Sequence, residues 1–409
     1  MINRYWLAVL CAALALGLWQ GDPWLGLAGV LGLLIGASEL LWQRYCLAGV
    51  EYERWLGANR ALWGERVVLT VRLANRKLLP LPWLQVEDRV PEGLAIDGAR
   101  LIPSEERDYV VFLRNLLPML PFEQVVRRYS VQCRHRGRFS FGPGKIESGD
   151  ILGFRRAHRS YGKVEQLVVY PKVFDLVMPA PLSRRIVGPR GARRSMFTDP
   201  SRTVGTRDYE VGDSLRHVDW RASARSTDLK VRIFEPSTDL ALATFVNFQY
   251  PDTGLRRSDR DRVEFAISVA ASVAGWGLGR GISVGLFANG GWEGMLGVRI
   301  PGGRDADQLR RVLEALALAS PIAYRPLPIG QMLAEESLGM PFETSLLLVT
   351  AKMDSALLEA LSIVARRRPL SVLLVGAEPP ERRPASGIEF VAIPYDEAWS
   401  EREQLQLAS

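Results

Sequence analysis

Histidine and cysteine are the scarcest reactive residues of this chain, three of each in 409 residues. Cys11, Cys46 and Cys133 stand far apart, so they form neither a metal-ligand spacing nor a disulfide framework. His135, His158 and His217 are equally scattered, too few for a histidine-based metal centre or a nucleophile–histidine–acid triad. Phosphate cradles and nucleophile elbows are missing too. No GxGxxG, Walker A or GxSxG stretch stands at a strand-to-helix junction, which removes the common dinucleotide, nucleotide and serine-hydrolase readings. Internal repeats and low-complexity tracts are also lacking. What remains is 47% hydrophobic and 24% charged, a globular balance. A net charge of +7 and a pI near 9.4 point to an acidic neighbour: an anionic membrane face, nucleic acid or an acidic protein.

Two apolar runs open the chain. Tyr5–Gln20 is uncharged, Gly21–Pro23 is a turn signal, and Trp24–Trp42 is apolar apart from Glu39. Trp6, Trp19, Trp24 and Trp42 bracket the runs where interfacial aromatics belong. These features predict a transmembrane helical hairpin over 1–48. The competing reading, a cleaved signal peptide, lacks a small-x-small site before the turn, and a second apolar run follows at once. Arg4, Arg44, Arg54 and Arg60 flank the runs, and the turn has no basic residue. Positive-inside logic then predicts a two-pass inner-membrane protein with the bulk of the chain in the cytoplasm.

From 49 to 175 the pattern becomes short alternating runs, among them Arg66–Arg76, Trp83–Val90, Asp108–Arg114 and Val125–Gly137, punctuated by Pro, Gly and Asn. That predicts a β-sandwich. A segment over 176–238 follows, with Arg184, Arg185, Arg190, Arg193, Arg194, Arg202 and Arg207 in a loop-rich stretch. From 239 to 409 near-continuous apolar strands (Leu240–Phe248, Gly281–Gly290, Thr344–Lys352, Leu370–Glu378) alternate with helices (Arg262–Arg280, Asp305–Ala319, Ser355–Arg368). This predicts a doubly wound, mostly parallel sheet covered on both faces. The closing stretch from Tyr395 reads as a surface segment or frayed helix.

The most unusual stretch is YEVGDSLRHVDWRASAR, which holds Gly212, Asp213, Arg216, Asp219, Trp220, Ser223 and Arg225. It resembles the Gly-Asp-x-x-Arg-x-Ile-Asp-Trp signature of the domain of unknown function 58 family, with Val218 at the aliphatic position. RGRFSFGP and the later Ile151, Leu152, Gly153 and Phe154 resemble a second segment of that family. The resemblance implies a membrane-anchored protein whose C-terminal part is similar to a von Willebrand factor A domain. It also implies a MoxR-type AAA+ ATPase as partner and a transglutaminase-like membrane protein as a second one. It supplies no catalytic activity. A metal-competent A domain carries Asp-x-Ser-x-Ser after its first strand, where this chain has Asn247, Gln249 and Pro251. It carries Thr-Asp-Gly after a later strand, where this chain has Thr350, Ala351 and Lys352. Without carboxylates such a site holds Mg²⁺ poorly, and Asp354 is the nearest acid in sequence. No metal and no cofactor are expected.

Three readings of the Asp213–Arg225 cluster are open. It is an internal plug, with Asp219 paired to Arg225, Asp213 to Arg216 and Trp220 packed beneath; or a partner-binding groove; or a hydrolytic or metal-dependent active site. The expectation is a non-enzymatic adaptor docking the ATPase. The alternatives are an enzyme centred on Asp213 and Asp219, or a receptor for acidic lipid or nucleic acid. The basic loop suits an anionic membrane surface better than nucleic acid, because few aromatics stand among its arginines.

Overall fold

Alternating apolar and polar residues build most of the first of two units, Met1–Lys172; the second is Val173–Ser409. The computed structural model describes residues 4–103, 111–149, 156–180, 182–183, 198–210, 213, 215–226, 228–236, 241–250, 256–292, 295–320, 327–341, 343–376 and 387–407.

The first unit begins with α1 (Arg4–Gln20) and α2 (Pro23–Tyr45), which pack on one another. Asp22 caps α2 by accepting from the Trp24 backbone N–H at 3.0 Å, and Pro23 occupies its first turn, where a missing N–H costs nothing. Lys77 closes the other end, donating to the carbonyls of Tyr45, Cys46 and Ala48. No helix among the described residues is long and apolar enough to cross a membrane. This overturns the expected transmembrane hairpin, and with it the membrane anchor and the two-pass inner-membrane placement. The 17 residues of α1 reach only about 26 Å, short of a hydrocarbon core of about 30 Å. In α2 the last two turns carry Glu39, Gln43 and Arg44, and the helix end is built into the sandwich. There Trp42 Nε1 donates to the Gly149 carbonyl at 2.9 Å, and Cys46 and Leu47 lie in the sandwich core.

The strands of this unit are β1 (Val50–Leu56), β2 (Arg60–Ala61), β3 (Arg66–Asn75), β4 (Leu81–Val90), β5 (Ala95–Asp97) and β6 (Leu101–Pro103). They continue with β7 (Val111–Met119), β8 (Gln124–Gln132), β9 (Gly137–Phe141), β10 (Gly144–Gly149), β11 (Arg156–Tyr161) and β12 (Glu165–Val169). Three sheets result, ordered β1-β3-β8-β5, β11-β10-β4-β7-β6 and β2-β12-β9. Their inward residues, Leu69, Leu73, Leu84, Val86, Leu113, Val131 and Leu167 among them, form one core. All three cysteines are free thiols, and burial pushes the Cys133 thiol up to about 11, which keeps it protonated and inert at neutral pH.

That core encloses a polar knot. Arg54 and Asp88 are 1% exposed each and form an ion pair. Arg54 Nη2 also donates to the carbonyls of Phe141 (2.9 Å) and Lys163 (2.7 Å). Gly142 makes room for it: at φ +94°, a Cβ there would lie 2.5 Å from the Lys163 carbonyl and 2.7 Å from the guanidinium. The Tyr52 hydroxyl donates to Asp88 Oδ2 at 2.5 Å. Burial first, then the Asp88 carboxylate, raise the phenol far above its ordinary value of 10.0. Above that pH the unfolded chain loses the Tyr52 proton while the folded chain keeps it, so stability falls as pH rises. The urea midpoint of the full chain is therefore expected to drop above pH 10.0 by more in the parent than in Tyr52→Phe. Parallel declines in the two proteins would refute the coupling.

In the second unit β13 (Asp175–Val177) leads to a hairpin of β14 (Thr198–Asp208) and β15 (Lys230–Pro236). The short helix α3 (Trp220–Ser223) sits in the connection between them. Then come β16 (Ala241–Val246), α4 (Arg257–Leu278), β17 (Ser283–Trp292), β18 (Met295–Gly303), α5 (Gln308–Leu318) and α6 (Ile329–Gly339). The order ends with β19 (Ser345–Thr350), α7 (Ser355–Ala365), β20 (Leu370–Val375), β21 (Ile388–Ile393) and β22 (Gln404–Gln406). The main sheet runs β18-β17-β16-β19-β20-β21, all parallel except the β17–β18 pair. Every residue of β20 is buried, as a strand covered on both faces requires. Helix α4 packs with α5, and α6 with α7. The C-terminal stretch is neither frayed nor peripheral: Trp399 is buried against Phe265 and Phe174, and β22 pairs in parallel with β13.

Candidate functional site

The connection between β14 and β15 carries the sequence motif, and hydrogen bonds hold it in shape. Val218 bridges to Val231, and both are buried. The Asp219 N–H donates to the Lys230 carbonyl at 2.8 Å. Ser223 Oγ donates to the Asp219 carbonyl at 2.8 Å and accepts from the Lys230 N–H at 2.9 Å. Asp219 caps α3, its Oδ1 accepting from the N–H groups of Arg221 and Ala222, both at 3.1 Å. Its other oxygen accepts from Arg232 Nε at 3.2 Å. The Ala222 N–H first, then Arg232, hold the Asp219 carboxyl below the usual range. Asp213 accepts both terminal nitrogens of Arg207, at 2.7 and 2.6 Å, and the Glu210 N–H at 3.0 Å. This bidentate bond from Arg207, followed by the Glu210 N–H, lowers Asp213 as well. Lys230 pairs with Asp208.

These partners differ from the expected ones. Asp213 pairs with Arg207 rather than Arg216, and Asp219 with Arg232 rather than Arg225. A hairpin places residues across the ladder from one another, so partners come from the two strands and not from the nearest cation in sequence. Trp220 does not pack beneath the charges; it is 65% exposed. Arg216 and Arg225 are exposed too. Gly212 lies outside the described residues, as do Arg184, Arg185, Arg190, Arg193, Arg194 and the second family-like segment at Ile151, Leu152, Gly153 and Phe154.

The positions compared with a metal site form a different cluster at the carboxyl ends of β16, β17 and β19. In open parallel sheets this is the edge where ligands bind. Asn247, 1% exposed, donates from Nδ2 to Thr350 Oγ1 at 3.0 Å. Its Oδ1 accepts from the Gln249 N–H (3.1 Å) and from Asn289 Nδ2 (2.9 Å). Asn289 also accepts from the Phe248 N–H at 2.7 Å and donates to the Leu327 carbonyl at 3.0 Å. Thr350 Oγ1 donates to the Lys352 carbonyl at 2.6 Å. Asn247 and Thr350 are thus brought together, and Gln249 joins only through its backbone. Asp354 does not join: it caps α7 through the Leu357 N–H at 2.8 Å and pairs with Lys352 at 3.4 Å. Amide and hydroxyl groups bond one another where a cation would need carboxylate oxygens. Sequence reading missed Asn289, although a buried polar residue interrupting the apolar run of Gly281–Gly290 is a visible signal.

A cleft of about 790 Å³ lies at the opposite end of the sheet. Ala241, Ala243, Ser283 and Gly285 floor it, and the Arg299–Glu336 ion pair at 2.6 Å stands on its rim. It contains none of the motif residues.

Comparison with solved structures is uninformative for function. The CARDB domain of the PF1109 protein from Pyrococcus furiosus, in complex with di-metal ions, is 11% identical with a TM-score of 0.19. The match covers 29% of this chain and 89% of that one. The C-terminal domain of wzt is 8% identical with a TM-score of 0.21, covering 31% and 75%. At such scores neither likeness carries an argument. In sequence, the chain is similar to the uncharacterized protein YeaD of Bacillus subtilis (strain 168), 26% identical over 298 residues, 73% of this chain and 68% of that protein. Residues 205–381, which hold both the Trp220 loop and the Asn247–Asn289–Thr350 cluster, match the family described as protein of unknown function DUF58.

Proposed function

We propose that this chain is a non-enzymatic adaptor whose Trp220 loop docks a partner protein, a MoxR-type AAA+ ATPase. The observation that carries the reading is Trp220 itself. A large aromatic 65% exposed to water forgoes burial energy, yet the loop presenting it is held by Asp219, Ser223 and the Val218–Val231 bridge. Trp is among the residue types most enriched where a few side chains dominate the binding energy of an interface. The carboxylates support the same reading against hydrolysis. A general acid or base works best with a pKa near the operating pH. Asp213 and Asp219 are instead held below the usual range by Arg207, Arg232 and backbone N–H groups.

The test titrates the full chain with the purified ATPase encoded by the same organism. Trp220→Ala is expected to weaken binding at least about thirtyfold, the size of a strong interface anchor. Its melting temperature should match the parent's, because truncating an exposed side chain leaves no cavity. Equal affinities of parent and variant would overturn the proposal.

A further inference from the structure

We infer that the Trp220 loop recognises an acidic protein segment carrying an apolar anchor; this rests on the docking reading above and specifies its chemistry. Asp213 and Asp219 of the loop are used internally, by Arg207 and Arg232, as Asp208 at the end of β14 is by Lys230; Glu210 and Asp228 form no ion pair among the described residues and leave the loop's free cations in a majority of three to two. Among the described residues, Arg216, Arg221 and Arg225 have no ion-pair partner. All three are exposed. Asp213 and Asp219 therefore do not quench the arginines nearest to them in sequence, and the cations face solvent beside Trp220.

The backbone that carries Arg221 and Arg225 is hydrogen-bonded. The helical turn continues past α3, with the Ala224 N–H on the Trp220 carbonyl at 3.0 Å and the Arg225 N–H on the Ala222 carbonyl at 3.1 Å. Arg221 lies in α3 and Arg225 just past its C-cap Ala224, four residues apart and both exposed. Each exposed guanidinium can offer a fork of two hydrogen bonds to a carboxylate. Trp220 adjoins them in sequence and offers an apolar surface for a Leu or similar side chain. The chain's +7 charge adds long-range attraction for an acidic partner. Nucleic acid fits less well. Single strands are held on several aromatic platforms, and a duplex groove takes a longer helix than the four residues of α3.

The probe is a short fluorescent peptide alternating Glu and Ala around one central Leu, titrated into the full chain and read by anisotropy. Its controls are the same peptide with Lys for Glu, and a single-stranded DNA oligonucleotide of similar charge. The acidic peptide is expected to bind, and to weaken at least about tenfold on raising salt from low to well above physiological. Arg221→Gln/Arg225→Gln should weaken it at least about tenfold with an unchanged melting temperature, as loss of two charge-assisted contacts predicts. Equal binding of the Lys peptide or of the DNA, or no effect of the double variant, would overturn the inference. The ATPase titration separates this failure from that of the docking reading. If the acidic peptide fails and the arginine variant binds the ATPase normally while Trp220→Ala does not, the acidic specificity falls and docking stands. If both variants bind it normally, docking itself falls.

Discussion

Asp88→Ala should destabilise the sandwich by about 3–5 kcal/mol, the cost of stranding one member of a buried ion pair. The side chains of Arg54 and Asp88 are 0% and 1% exposed, so water cannot reach the guanidinium left behind. Two of its bonds, to the carbonyls of Phe141 and Lys163, persist in the variant and hold the cation in the core rather than letting it swing out. Its Nε makes no hydrogen bond even in the parent, and the carboxylate that stays near the cation, Glu165, is 4.0 Å from that atom, too far to replace the bond Asp88 accepts. Tyr52 loses its acceptor at the same time. At about 2–4 °C per kcal/mol for a unit of this size, the melting transition should fall by about 10 °C or more. Replacing both partners, as in Arg54→Met/Asp88→Leu, should recover part of the loss because no charge is then stranded. Urea unfolding of the full chain, followed on the first unit's transition, measures both variants. A loss below about 1 kcal/mol for Asp88→Ala, the worth of an exposed pair, would show that the knot is hydrated in solution.

Asn289→Ala is the second large effect, at about 3 kcal/mol. One side chain serves three groups: the buried Phe248 N–H and Asn247 Oδ1, and the carbonyl of half-buried Leu327. Leaving a buried polar group unpaired costs about 1–3 kcal/mol; the Phe248 N–H loses its acceptor, whereas Asn247 Oδ1 keeps the Gln249 N–H, and the vacated space adds to the cost. Asn289→Asp is the sharper probe. It keeps the acceptor for Phe248 but turns the donor into an oxygen facing two other oxygens. The carboxyl is then better tolerated protonated, so this variant should regain stability relative to the parent as pH falls. Thermal unfolding of the second unit across acidic and neutral pH tests it. A pH-independent difference between Asn289→Asp and the parent would mean the amide bonds are not as placed. Gln249→Ala is the control, since only the backbone of Gln249 enters the cluster.

These two sites mark where local pattern stops being informative. The period of two in Arg66–Arg76 and the apolar run at Leu370–Glu378 correspond to β3 and β20, because a strand's own residues must suit the faces they meet. The antiparallel edge strand β18, with its Pro and three Gly, and α6, interrupted by polar residues, left no such pattern and were not anticipated. In the candidate site, the sequence marked Asp213, Asp219 and Trp220 as unusual but misassigned their neighbours. Choosing arginines from within the same stretch assumes a locally closed plug, whereas the β14–β15 ladder supplies Arg207 and Arg232 from the flanking strands. Arg54 and Asp88 stand 34 residues apart and nothing in either strand announces the pair.

Hydropathy misled at the N-terminus for a related reason. It scores what each residue prefers, but not that Trp42, Cys46 and Leu47 are taken into the sandwich. It equally left the closing stretch as surface, although Trp399 is buried and β22 is paired. The sequence by itself determined the short strands of the first unit, the alternation of apolar strands and helices in the second, and the lack of carboxylates at Asn247 and Thr350. Periodicity and residue chemistry are local properties and can be read in order along the chain. Only the tertiary structure decided which cation meets which carboxylate, that Trp220 faces water, and that Asn247, Asn289 and Thr350 bond one another. Those outcomes depend on distances between residues far apart in sequence, which chain closure and packing set together.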